Sequence, residues 1–237
     1  HASPAARAVP VRSVPSTTGQ DLRAAPRRLW EDGKLAFGNT RNLLLLLGAT
    51  AYGLGAEHSF EEREGAFFQN HTFFGRSIQE GLAALGNGLT LYGGALTWYF
   101  LSADGEHQAS YEASKVVLSA MTVTSIATLT LKSLVSDGRP NGGSHDYPSG
   151  HAALSMSVAA SLDQLYGHAV GFPAYGLSGM IGMQRLDSGK HDTGAVLFGW
   201  VLGYVVGATV ASHHAPRIFG LEVGVEHDAE TGAPALV

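Results

Sequence analysis

Two histidines stand where the chain changes from polar loop to apolar segment. The stretch YPSGHAALSMS, residues 147 to 157, places His151 between a Pro-Ser-Gly turn and an apolar run. Ser149 is a favoured helix N-cap residue, so a helix is predicted to begin here. The first turn of a helix offers unpaired N–H groups and the positive end of the dipole, and both favour anions, phosphate above all. The stretch therefore indicates an anion site beside an imidazole.

Basic residues flank this stretch on both sides. Upstream, LKSLVSDGRPNGG places Lys132 near the end of one predicted helix and Arg139 in the following loop, seven positions later. Two such cations can converge on one anion, although a cation at a helix C-terminus also stabilises the helix by itself. Downstream, MQRLDSGKHDTGAVLFGW places Arg185 in a polar break and His191 where the last long apolar segment opens. Both flanking stretches thus combine cations with a helix end.

In chain order the three stretches form the pattern Lys-x6-Arg-Pro, Pro-Ser-Gly-His and Arg-x5-His, from Lys132 to His191. This pattern resembles the signature of the type 2 phosphatidic acid phosphatase (PAP2) superfamily. That group includes lipid phosphate phosphatases, soluble bacterial acid phosphatases and vanadium haloperoxidases. The resemblance implies an all-helical bundle and a phosphatase that hydrolyses phosphate monoesters or pyrophosphates through a phosphohistidine. It implies no metal and no other cofactor, because cationic side chains take the place of a magnesium ion.

The resemblance also implies a role for each residue of the pattern. His191 attacks phosphorus and carries the phosphoryl group. His151 protonates the leaving oxygen and then activates water. The remaining residues hold the phosphate oxygens and offset the charge that develops in the transition state. These are Lys132, Arg139, Ser149 through its hydroxyl, Gly150 through its N–H, and Arg185.

The chain departs from the family pattern at three places. Gln184 stands where the family usually has Ser before the second Arg, so one phosphate donor is expected to be altered. The loop from Pro140 to Pro148 is short, which is expected to narrow the mouth of the site. Ala195 stands where the family has an Asp that orients the nucleophilic histidine and stabilises its cationic form.

Three other carboxylates lie near the two histidines along the chain. Asp192 is adjacent to His191, but neighbours on a helix do not face each other. Asp187 lies four positions before His191 and could fold back, and Asp146 precedes the second motif. In a serine protease triad, loss of the orienting Asp function costs about 10⁴-fold in rate. Without a substitute, weak turnover is expected.

The segments that must position these residues are apolar and too long for strands. Gly, Pro, Asp and Asn separate them, so about six helices in an all-α bundle are predicted, with the active site at helix ends. In the last segment small residues recur at every fourth position, which lets a neighbouring helix approach closely. They are Ala195, Gly199, Gly203, Gly207 and Ala211. The six segments cover residues 42–56, 81–103, 116–131, 150–162, 173–184 and 193–212.

The composition bounds the domains and the partners. We predict a flexible basic arm over residues 1–28, a helical phosphatase domain over 29–215 and a C-terminal tail over 216–237. The net charge of −5 does not favour nucleic-acid binding, and the lack of cysteine excludes disulfides and thiolate chemistry. Charged residues make up 15% of the 237 residues, against roughly 25% in typical soluble domains, which favours a lipid substrate and a membrane surface as partner.

Two segments, residues 81–103 and 193–212, are long enough to span a membrane. A mean hydropathy of only +0.06 favours a water-soluble or peripherally attached bundle instead, with an integral inner-membrane protein as the alternative. The chain begins at His1, so an exported protein of the periplasm or cell envelope would already have lost its signal. Phenylalanines at positions 67, 68, 73 and 74 favour a docking patch, with a lipid-facing loop as the alternative.

The favoured function is hydrolysis of a phosphorylated lipid of the bacterial cell envelope. A vanadate-dependent haloperoxidase is the second hypothesis, since vanadate mimics phosphate, although the size of the chain disfavours it. The third is a phosphate or lipid head-group binding protein with little turnover, because Ala195 replaces the family Asp.

Overall fold

The computed structural model describes residues 14–57, 67, 71–103, 107–135, 147–214, 225–227 and 234–236. Within these residues the all-α fold class is confirmed, with eight helices and one short antiparallel pair of strands. The helices are α1 (Val14–Phe37), α2 (Thr40–Glu57), α3 (Arg76–Leu85), α4 (Gly88–Leu101), α5 (Gln108–Leu134), α6 (Gly150–Tyr166), α7 (His168–Asp187) and α8 (Thr193–His214). The strands are β1 (Val225–His227) and β2 (Pro234–Leu236).

The number of described helices exceeds the prediction of about six because two stretches of sequence fold differently from the prediction. The segment over residues 81–103 is broken, and Asn87 caps α4 by accepting a hydrogen bond from the Leu89 N–H at 2.8 Å. The break leaves α3 as a helix of its own. The predicted flexible arm over residues 1–28 is likewise helical from Val14 onward, while residues 1–13 lie outside the described part of the chain.

α6 and α8 pack closely at the centre of the bundle. A Cβ on Gly203 would lie 2.1 Å from the backbone oxygen of Ala153, and one on Gly207 would lie 2.4 Å from that of Ser157. Only hydrogen fits at such positions, so the small-residue stripe brings the α6 backbone against α8, as predicted. The close contact between α6 and α8 extends to the starts of both helices, where the Ser149 N–H donates to the Ala195 carbonyl at 3.0 Å.

Two carboxylates dock α1 on the bundle. Asp32 is fully buried, accepts a hydrogen bond from Ser119 of α5 and pairs with the ring of His214 at the end of α8. Nearer the start of α1, Asp21 pairs with Lys115 of α5 at 3.2 Å. These contacts give α1 a fixed place on the helical core.

Large apolar side chains are exposed on several helices. Leu44 and Leu47 of α2 are each 63% exposed, and Leu89 of α4 and Leu129 of α5 are 86% and 65% exposed. By length and composition α5 and α8 could each cross a membrane, but 50% of the most apolar stretch of α5 and 67% of that of α8 are buried inside the protein. The core helix of a soluble protein has the same properties.

Candidate active site

The start of α6 is buried and its first residue does not cap the helix with its side chain. Ser149 occupies the N-cap position with an extended backbone, yet its hydroxyl makes no capping hydrogen bond. The residue is fully buried, and its Oγ has no hydrogen-bond partner among the described residues. Buried polar groups are normally paired. The hydroxyl and the open helix N-terminus together present donors suited to an anion.

His151 lies in the first turn of α6 and contacts the end of α3. A Cβ on Gly86 would lie 3.1 Å from the His151 Cδ2 atom and 2.5 Å from a side-chain carbon of Ile181. The His151 ring also makes a hydrogen bond to the backbone of Ala83. The end of α3 therefore covers one side of the ring, and Gly86 allows this close contact.

The electrostatic environment of His151 is positive. Burial, followed by the charges of Arg185 and His191, lowers the pKa of His151 to about 4, with a smaller effect of Lys190. The hydrogen bond to the Ala83 backbone acts in the opposite direction. His151 is therefore neutral at pH 7 when no anion is bound. A negative charge beside the ring would favour its protonated form.

Arg185 and His191 flank the turn between α7 and α8, and both are buried, with 6% and 5% of their surfaces exposed. The Arg185 Nη1 donates to the Gln184 Oε1 at 3.2 Å, and the Arg185 carbonyl accepts from the Lys190 N–H at 3.0 Å. Gln184, which replaces the usual family Ser, thus contacts the guanidinium and helps to orient it. Lys190, which the sequence pattern did not single out, is exposed beside this pair.

Asp187, one of the carboxylates considered as a support for His191, binds a different segment. Its oxygens accept hydrogen bonds from the backbone N–H groups of Phe73 and Phe74 at 3.0 and 3.1 Å and from the Gln79 amide at 2.8 Å. The carboxylate therefore holds the beginning of α3. Its three donors lie more than a hundred residues away from Asp187 in sequence. Asp146 lies outside the described residues.

Asp192 and Ala195 form the start of α8. Asp192 precedes the helix and its Oδ1 accepts from the Ala195 N–H at 2.6 Å, as an N-cap does. His191 therefore stands just before α8 rather than within it, which corrects the expectation that it opens the helix. The Ala195 side chain is fully buried. Position 195, where the resemblance places an Asp, thus lies in the first turn of α8 beside the start of α6.

One further cation of the pattern, Lys132, comes from the end of α5. Lys132 is half-buried in the last turn of α5. One turn earlier, the Thr128 methyl group lies 3.7 Å from where a Cβ on Gly150 would stand, so α5 reaches the start of α6. Arg139 and the short loop after it lie outside the described residues. Ser149, Gly150 and His151 lie together at the start of α6, and the charges of Arg185 and His191 act on the His151 ring.

A comparison with known proteins tests the predicted fold. The structure is similar to the crystal structure of a transmembrane PAP2-type phosphatidylglycerolphosphate phosphatase from Bacillus subtilis, with a TM-score of 0.61 and 16% sequence identity over 73% of this chain and 94% of that chain. No family model and no curated protein sequence matches the chain. The PAP2-type fold that the sequence pattern implied is confirmed.

Proposed function

We propose that the chain is a phosphatase that hydrolyses a phosphorylated lipid at a membrane through a phosphohistidine on His191. One observation carries the proposal. Ser149, at the N-cap of α6, is buried, and its hydroxyl neither caps the helix nor has a partner among the described residues. It lies beside a histidine whose pKa responds to the charges of Arg185 and His191. A phosphate group supplies both the acceptor oxygens and the negative charge that this arrangement lacks.

The proposed reaction has two steps. In the first, a ring nitrogen of His191 attacks phosphorus, the bond to the lipid oxygen breaks, and protonated His151 gives its proton to that oxygen. In the second, neutral His151 takes a proton from water, the water oxygen attacks phosphorus, and the phosphorus–nitrogen bond breaks. Phosphate leaves, and His191 is restored.

The cations of the site stabilise the charge on the transferring group. Arg185 is buried, so its attraction for phosphate is screened less than that of a surface cation. Its contact with Gln184 fixes the direction of the guanidinium. Lys132 and Arg139 are proposed to complete the cradle, with the Gly150 N–H at the helix start as a further donor.

A phosphorylated lipid is the proposed substrate because the protein exposes long apolar side chains on α2, α4 and α5. The similar structure is described as a transmembrane phosphatidylglycerolphosphate phosphatase, which fits the same choice. We therefore place the protein at a membrane of the cell envelope, with the site accessible from the periplasmic side. A phosphorylated lipid can present its phosphate there while its acyl chains stay with apolar surface.

A second function is favoured by position 195. Ala195 is fully buried, Asp187 holds the start of α3, and Asp192 caps α8. Because Ala195 stands where the resemblance places an Asp, the second candidate is a protein that binds a phosphorylated head group with little turnover.

Phosphate release from long-chain phosphatidic acid in detergent micelles and from glycerol phosphate tests the two functions. We expect release by the full chain and none by His191→Ala, which should still bind vanadate. A radiolabelled phosphoryl group trapped on the wild-type protein by acid-free quenching would identify the intermediate. Binding without release or labelling would favour the head-group binding protein, and turnover by His191→Ala at the wild-type rate would contradict the mechanism.

A further inference from the structure

Three aromatic rings form an exposed cluster before α3, here called the aromatic platform: Phe67, His71 and Phe73. The rings of Phe67 and His71 stack with centroids 4.8 Å apart, and those of Phe67 and Phe73 lie 6.0 Å apart. Phe67 is 47% exposed and Phe73 is 53% exposed. The His71 N–H donates to the Phe67 carbonyl at 3.0 Å, which adds a backbone contact to the stacked rings.

The platform is attached to the helix turn that carries the phosphate-binding arginine. Asp187 lies two residues after Arg185 at the end of α7, and its carboxylate accepts from the N–H groups of Phe73 and Phe74. Hydrogen bonds to a charged group are stronger than those between neutral groups. The aromatic rings are therefore held in a fixed place relative to Arg185, which a mobile surface loop would not achieve.

The other end of the same segment reaches the second histidine. From Gln79, bonded to Asp187, α3 continues to Ala83 and Gly86, which contact the ring of His151. The ten residues of α3 rise about 15 Å. α3 thus connects the aromatic platform at one end to the residues that contact His151, at the start of α6, at the other. A long ligand with an anionic end and an apolar remainder matches these two ends.

We propose that the aromatic platform binds the acyl chains of the phosphorylated lipid while its phosphate lies at the start of α6. The inference rests on the proposed function and adds the surface that selects lipids over short phosphate esters. Phe and His rings offer large flat apolar surface with few rotatable bonds, so ordering them costs little. Their attachment through Asp187 means that the platform exists before the lipid arrives, and such preorganisation strengthens binding.

A matched aromatic pair at the far end of α7 provides the control. The rings of His168 and Phe172 stack at 5.0 Å, and Phe172 is 66% exposed. Along α7, Phe172 is about 22 Å and His168 about 28 Å from Asp187. It reproduces the exposure and stacking of the platform without its attachment to the site.

The test compares Phe73→Ala with Phe172→Ala in the full chain, with long-chain phosphatidic acid in micelles and glycerol phosphate as substrates. We expect Phe73→Ala to reduce the preference for phosphatidic acid, measured as the ratio of the two kcat/KM values, roughly 10-fold through a higher KM for the lipid. Phe172→Ala should leave that ratio unchanged. An equal effect of both variants, or an equal loss on both substrates, would overturn the proposal.

Binding separates this inference from the proposed function. Affinity for micellar phosphatidic acid is measured in the His191→Ala background with and without Phe73→Ala, so the platform is tested even when nothing is hydrolysed. A weaker affinity in the double variant supports the platform. If Phe73→Ala instead weakens attachment to phosphatidylcholine vesicles that contain no phosphorylated lipid, the rings bind the bilayer rather than the substrate, and the proposal fails.

Discussion

Replacing Asp187 by Asn is expected to loosen α3, which connects the aromatic platform to His151. The carboxylate accepts three hydrogen bonds at 2.8 to 3.1 Å and is only 8% exposed. Asparagine keeps one acceptor oxygen, and its amide N–H group faces the donors that the second carboxylate oxygen had served. At least one part-buried donor therefore loses its partner, and the other hydrogen bonds no longer go to a charged group.

The expected loss in the free energy of unfolding is about 2–4 kcal/mol, because a hydrogen bond to a charged group contributes about 1.5–3 kcal/mol. A second effect falls on His151. Burial is the largest cause of its lowered pKa, which is about 4, and the end of α3 covers one side of the ring. When α3 loosens and water reaches the ring, the pKa of His151 should rise toward its ordinary value. The ring is then half-protonated at a higher pH than in the wild-type protein.

Asp163 supplies the matched control, since it is also 8% exposed and lies at the other end of the bundle. It accepts from His168 at 2.7 Å and from Tyr175 at 3.3 Å. Asp163→Asn should lower the free energy of unfolding by a similar amount without moving the pKa of His151. The assays are denaturant unfolding and titration of the His151 ring by NMR. An unchanged pKa in Asp187→Asn, or the same shift in both variants, would refute the role given to α3.

Three further variants test the site and the core. Ala195→Asp should raise the rate of phosphate release about 10²- to 10⁴-fold if the new carboxylate supports the ring of His191, as single-turnover kinetics will measure. Asp32→Asn should lower the free energy of unfolding at pH 7 by about 3 kcal/mol. Burial alone would raise the Asp32 pKa, but its hydrogen bonds outweigh this and lower it, so the difference from wild type should shrink as the pH falls below 3.8. Gly203→Ala should cost about 3 kcal/mol, because its Cβ would meet the Ala153 backbone oxygen at 2.1 Å.

Each of these variants has a control in the same chain. Ala195→Asn matches the shape of the carboxylate without its charge and should gain little rate, and Ala211→Asp places a carboxylate in the same buried stripe far from the site. A rate gain with Asn equal to that with Asp would contradict the electrostatic argument. Glu31→Gln removes an exposed partner and should change stability little. Gly179→Ala, in open space on α7, should be tolerated, and a loss there equal to that of Gly203→Ala would exclude helix contact as the cause.

Features encoded in short stretches of sequence were predictable. The spacing of small residues in the last helix predicted the close approach of a neighbouring helix, since a repeat of four places them on one face, and the structure shows that this neighbour is α6. The Pro-Ser-Gly-His stretch predicted the start of α6 at Gly150 because turn and cap residues act locally. The order of the motifs predicted the PAP2-type fold. The first two inferences needed only neighbours along the chain, whereas the fold was implied by the resemblance of three separated motifs to a known family.

Features that depend on distant partners were not predictable in the same way. The arginines and prolines of α1 indicated a flexible arm, but Asp32 finds its partners in Ser119 and His214, which are distant in sequence. Asp187 was considered only in relation to nearby His191, whereas its hydrogen bonds go to residues 73–79. A carboxylate shows no sign in the sequence of which distant N–H group it will accept from, so tertiary packing decided both cases.

The positive charges of the site suggest a way in which the proposed enzyme would control the protonation of His151, its general acid. The His151 ring is largely buried. Burial, together with the charges of Arg185, His191 and Lys190, disfavours protonation of this ring. A bound phosphate reverses the sign of the local field, so its arrival raises the pKa of His151. The ring then takes up a proton when the substrate is in position and the leaving oxygen needs one. After the lipid alcohol departs with that proton, His151 is neutral again and can accept a proton from water. In the proposed reaction, the cations Arg185 and Lys190 would thereby set the order of the two proton transfers, while His191 attacks in its neutral form.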